Sequence, residues 1–98
     1  MKHVIVRYQV RKKDVERAKT AVHDFIEGVK DEPGVVLYEA FQESDPTRFV
    51  HHIIFKDATA EKLHAKARHT QRFVDLLYPL CEEEPVFTEL KKVHTSHS

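Results

Sequence analysis

The chain has no tryptophan and no asparagine, one cysteine, two glycines and four prolines among its 98 residues. A lone cysteine, Cys81, excludes an intramolecular disulfide framework and any CxxC redox or zinc pair. With two glycines there is no glycine-rich phosphate loop, so the basic run Arg11-Lys12-Lys13 reads as a solvated turn. Charge of one sign is not in excess either. Lys plus Arg number 16 and Asp plus Glu number 16, which removes the field that would gather nucleic acid, an anionic membrane or an acidic partner. No run approaches the roughly 18 apolar residues of a membrane helix. The opening MKHVIVRYQV is broken by His3 and Arg7 where a signal peptide would be apolar. A cytoplasmic protein is expected, with no nucleic-acid and no membrane partner.

Apolar residues make up 41% and charged residues 33%, the balance of one small globular domain over residues 1–98, with the tail 94–98 expected to fray. Residues 3–10 alternate, with Val4, Val6, Tyr8 and Val10 on one face, and predict a strand. From Lys13 the period lengthens. Val15, Ala18, Val22, Phe25, Ile26 and Val29 make the apolar stripe of a helix that Pro33 and Gly34 stop. Residues 35–42 and 48–56 are rich in β-branched and aromatic residues and are joined by the turn 43–47, which predicts a hairpin. Asp57 or Thr59 can cap a second helix carrying Leu63 and Ala67 inward. A further helical piece holds Phe73, Val74, Leu77 and Leu80, and residues 85–93 alternate as a last strand.

This order predicts an α+β fold: a ferredoxin-like, four-stranded antiparallel sheet with its helices on one face. The hairpin strands are apolar on both faces, which an antiparallel sheet with one wet face is not. The uncovered face therefore needs a partner, and a second copy of the chain is the simplest one.

Several stretches carry a family resemblance. EPGVVLYEAFQESDPTRFV (32–50), FKDATAEKLHAKARH (55–69) and the PL before the last strand resemble the antibiotic biosynthesis monooxygenase family over roughly residues 3–93. Glu32-Pro33-Gly34 matches its turn before the second strand, Tyr38-Glu39 its YE step, and His64 and His69 its H-x4-H segment. The resemblance implies a homodimeric α+β barrel. It also implies oxidation of a small phenolic or quinol substrate by dioxygen, with no metal or flavin cofactor. The family's strand-end E-x-W reads Ile53-Ile54-Phe55 here. The haem-degrading branch relies on an Asn, a Trp and a His, so haem turnover is not expected.

A pocket in this fold lies between helices and sheet, walled by aromatic rings with a few converging polar groups. His64, matched by the resemblance, is the first candidate for a catalytic base. His51 is the second. On a strand His51 and His52 leave by opposite faces; with a five-residue turn, Glu39 would face His51 across the ladder and raise its pKa as a base requires. Tyr38, Phe41, Phe55 and Phe73 are the expected substrate-binding residues, with core packing their competing role. No metal site is expected, because His64 and His69, five apart on one helix, would diverge by more than about 100°. Two alternatives remain. One is an isomerase for a phosphorylated or sugar-like ligand, which would need Arg7, Arg48 or Arg68 in the pocket. The other is a non-catalytic, ligand-binding or stress-associated dimer.

Overall fold

A computed structural model describes residues 1–97. The alternating first segment forms β1 (Lys2–Gln9), which buries Val4, Val6 and Tyr8. The helical stripe forms α1 (Val15–Val29), burying Ala18, Ala21, Val22, Phe25 and Val29. The hairpin follows as β2 (Val35–Gln42) and β3 (Arg48–Phe55). The second helical region is two helices, α2 (Ala58–Lys66) and α3 (Arg68–Leu77), and the chain closes with β4 (Val86–Leu90). All pairings are antiparallel and the sheet order is β2-β3-β1-β4, as a ferredoxin-like fold requires. Residues 94–97 carry no regular structure and are exposed, and the last residue of the expected tail lies outside the described part.

Three local details differ from the pattern read in the sequence, and each moves a side chain that matters. First, the hairpin register is one residue off. The backbone N–H of Glu43 donates to the carbonyl of Arg48, so the pairing begins inside the turn and sets Gln42 opposite Phe49. Glu39 therefore faces His52, and His51 faces Ala40. The predicted Glu39–His51 pair does not form, and Glu39 is exposed on the uncovered face.

Second, α2 presents a different edge to the core. Asp57 does cap it, accepting from the N–H of Ala60 at 2.8 Å, but Ala60 and His64 point inward while Leu63 is 64% exposed. Third, the helix breaks at Ala67, whose ψ of 145° is extended. Residues 64 and 69 consequently belong to two helices rather than one.

The core is one cluster between the sheet and the helices, and includes Tyr8, Phe25, Phe49, Ile53, Phe55, Phe73 and Leu77. Among the described residues the other sheet face has no covering layer. On it Val50 and Ile54 of β3 are half-buried, while Phe41 of β2 and Val86 and Leu90 of β4 are exposed. No helix among the described residues is long and apolar enough to cross a membrane.

Candidate active site

His51 is only 1% exposed, at the centre of the sheet and under α3. Alternation along β3 turns it inward with Phe49, Ile53 and Phe55, and sends His52 to the opposite face, where its ring stacks on His3 at 5.7 Å. In place of a carboxylate, two tyrosines hold the ring. The Tyr8 hydroxyl lies 2.7 Å from Nε2 and the Tyr38 hydroxyl 2.7 Å from Nδ1. Tyr8 reaches it from the neighbouring strand β1, and Tyr38 from β2.

Burial determines the protonation of this trio. Desolvation disfavours the imidazolium and lowers the His51 pKa to about 4, the opposite of the rise expected from a Glu39 partner. The ring is therefore neutral at pH 7 and intrinsically a weaker base than a free histidine. The same desolvation pushes both tyrosines well above their ordinary range, keeping them as phenols. A neutral imidazole has one N–H and one lone pair. One tyrosine therefore donates its O–H to His51 while the other accepts the His51 N–H and keeps its own proton free for a further bond.

The trio lines a cavity of about 60 Å³ together with Phe25, His64 and Phe73. Tyr78 and Phe87 also line it, Phe87 largely open to solvent and Tyr78 37% exposed. Thr70 lines it too, and its buried hydroxyl has no hydrogen-bond partner among the described residues. A buried, unsatisfied hydroxyl is a costly feature that a polar ligand or water would relieve.

A second polar group stands beside the first, with Tyr38 between them. Tyr38 lies 5.5 Å from the His51 ring and 6.0 Å from the His64 ring, centroid to centroid. One carboxylate oxygen of Glu32 meets His64 Nδ1 at 2.8 Å and His69 Nε2 at 2.6 Å. The break at Ala67 brings the two histidines onto the same oxygen, overturning the argument from helical spacing that they diverge.

Both glycines of the chain serve this arrangement. A Cβ on Gly28 would lie 2.8 Å from Cβ and Cγ of His69, and one on Gly34 would lie 2.5 Å from Cβ of Ala60, one helical turn before His64. The Glu-Pro-Gly turn thus supplies the carboxylate and, two residues later, lets α2 come close.

Of the residues singled out in the sequence, His51, His64, Tyr38 and Phe73 line the cavity, and Phe55 is buried with its ring 5.3 Å from that of His64. Phe41 does not belong with them: it is 52% exposed, sharing the uncovered face with Glu39. The three arginines needed by an isomerase of anionic ligands are also elsewhere. None lines the cavity; Arg7 and Arg48 are exposed on the sheet, and Arg68 lines a separate groove between α1 and α3. Tyr8, Glu32 and Thr70 were missed as site residues. Tyr8 was legible only as a core position of β1, and Glu32 only as part of a turn.

Comparison with known proteins agrees with this architecture. Solved structures of an antibiotic biosynthesis monooxygenase (21% identity, TM-score 0.91) and of a candidate member from Nitrosomonas europaea (24%, 0.90) each cover 96% of this chain and 100% of their own. A candidate antibiotic biosynthesis monooxygenase from Caulobacter crescentus (18%, TM-score 0.88) covers 95% of this chain and 90% of its own. No curated protein matches the sequence. Identities this low speak for the fold alone; the family follows from the sequence itself. Residues 1–76 match the profile of the antibiotic biosynthesis monooxygenases, and the chain belongs to that family.

Proposed function

We propose that the protein is a cofactor-independent monooxygenase of a small phenol or quinol, with the Tyr8–His51–Tyr38 trio moving the substrate proton. The observation that carries this reading is a neutral imidazole held between two phenols in an aromatic cavity. Both ring nitrogens are engaged, so His51 takes a proton through a tyrosine hydroxyl rather than from the substrate directly. The free tyrosine O–H and the unpartnered Thr70 hydroxyl offer bonds to the polar end of a ring substrate, and Phe25 and Phe73, stacked at 4.3 Å, offer it a wall.

The chemistry balances without an external reductant. An electron-rich phenolate passes an electron to dioxygen; one oxygen atom then bonds to a ring carbon, and the other leaves as water. For a phenol becoming a quinone, the substrate supplies all four electrons and the two hydrogens of that water. The protein contributes the base, exclusion of bulk water and orientation. At about 60 Å³ the cavity is smaller than a substituted ring, so entry displaces the exposed Phe87 and Tyr78 that line it.

The working unit in this reading is a cytoplasmic homodimer joined through the uncovered sheet face. Its support is the apolar stripe of Phe41, Val50, Ile54, Val86 and Leu90 on that face, with Phe41, Val86 and Leu90 exposed. Sedimentation at micromolar concentration should show a dimer, and Ile54→Asp should dissociate or unfold it, since burying an unpaired carboxylate costs several kcal/mol.

The chemistry is tested by oxygen uptake with a panel of phenols and quinols, on protein freed of metal by a chelator. His51→Ala should lower the rate roughly 100-fold, the scale of a lost general base. His52→Ala should leave the rate unchanged, because its ring lies on the other face. Haem should not be turned over. No uptake with any member of the panel would leave a non-catalytic binding dimer as the better account.

A further inference from the structure

Glu32, His64 and His69 come from three separate elements and place three donor atoms within 4.8 Å of one another. Glu32 sits in the turn before β2, His64 near the end of α2, and His69 in the first turn of α3. We propose that these three residues form a binding site for one first-row divalent transition-metal ion of the zinc, cobalt(II) or iron(II) class. The proposal does not depend on the oxidation reading above.

The donor set chooses the class of ion. Two imidazoles and one carboxylate suit these borderline ions, whereas calcium and magnesium take oxygen ligands. Three protein ligands leave further positions open, as in exchangeable or catalytic sites rather than closed four-ligand structural ones. A tetrahedral ion about 2.0–2.1 Å from its ligands spaces them about 3.3 Å apart. The present separations of 2.8 and 2.6 Å are those of hydrogen bonds, with protons where the ion would sit. Coordination needs Glu32 to draw back by about half an ångström, within reach of its side-chain torsions. The two histidine nitrogens, all three donors now lying within 4.8 Å, settle at a similar spacing of about 3.3 Å. Each neutral imidazole turns a lone pair to the ion by carrying its proton on the other ring nitrogen.

Two further features favour coordination. Gly28 stands in the last turn of α1, and its missing Cβ is what admits the His69 side chain. His69 also lines the open groove between α1 and α3, which gives a route from solvent. Arg68, Arg72 and Asp24 line the same groove, so long-range charge does not gather cations there and affinity must come from the ligands themselves.

The test is titration of the full-length, untagged, metal-stripped protein with Co²⁺ and with Zn²⁺. One Co²⁺ per chain should bind, with visible absorption bands more intense than those of the hydrated ion, and Zn²⁺ should displace it and raise the melting temperature. Glu32→Gln, His64→Ala and His69→Ala should each weaken binding at least tenfold. The tail variant His94→Ala/His97→Ala should bind as the wild type does. The Co²⁺ spectrum of the wild-type protein needs no variant to fold. No saturable binding at 100-fold excess of either ion, or binding lost with the tail histidines and kept in the three site variants, overturns the proposal and leaves a hydrogen-bonded clamp.

Discussion

The two polar groups under the helices differ in how they hold histidine. His51 is sealed between two phenols with no charge beside it, and burial alone decides that it stays neutral. His64 and His69 share a carboxylate that remains partly open to solvent, with 15% of the Glu32 side chain exposed. Tyr38 touches both worlds, bonded to His51 and packed within ring contact of His64. The same side chain is thus set up for two tasks by its surroundings. Among phenols histidine is held as a neutral, buried ring; against a carboxylate it is held at the edge of solvent by hydrogen bonds to one oxygen.

The comparison breaks most severely at His51. Replacing it by alanine strands two buried hydroxyls, each worth about 1–3 kcal/mol, and opens a hole, so denaturant unfolding should show a loss of several kcal/mol. His69→Ala, at the more open group, should lose markedly less. Acid gives the next largest effect. The His51 pKa falls from 6.5 to about 4 on folding, so below pH 6.5 the unfolded chain binds a proton that the folded one refuses. Stability should therefore decline as pH falls from about 6.5 to about 4, by about 3 kcal/mol from this group. His51→Phe should flatten that part of the profile.

Smaller effects sharpen the contrast. Gly28→Ala, in the last turn of α1, gains less helix propensity than the roughly 1 kcal/mol of an interior site, and its new Cβ would press on the near end of the His69 side chain. A net loss of about 1–2 kcal/mol in thermal unfolding is expected, of the size that overpacking produces; it should shrink in a His69→Ala background, which keeps the Cβ contact, and vanish in His69→Gly. The smallest change is at Thr70. Thr70→Val removes an unpartnered buried hydroxyl and should be neutral or stabilising by up to about 1 kcal/mol in chemical denaturation. If the cavity binds a polar ligand, the same variant should weaken that binding.

Much of the fold was legible. The alternation of Val4, Val6, Tyr8 and Val10 and the stripe from Val15 to Val29 placed β1 and α1, and the order of elements predicted the sheet. The uncovered apolar face followed from two-faced hairpin strands. The site was read less well, for reasons of local geometry. One added hydrogen-bonded pair at Glu43 and Arg48 shifts the hairpin register and takes Glu39 from His51, and periodicity alone does not count the residues inside a turn. The break at Ala67 has no proline or glycine to announce it; an alanine there gives no signal that the helix ends. Tyr8 was visible as a buried residue, but its hydroxyl acquires meaning only from β1 lying beside β3.

The chain of Tyr8, His51 and Tyr38 can run in either direction. With the imidazole proton on Nδ1, His51 donates to the Tyr38 oxygen, and Tyr38 can offer its own O–H outward; with the proton on Nε2, Tyr38 donates to His51 and its oxygen can accept instead. The reversal is complete when one proton enters at the Tyr8 oxygen and one leaves from Tyr38, and no heavy atom needs to move. One rigid wall can thus meet a polar group that donates and a polar group that accepts, by reversing its own polarity.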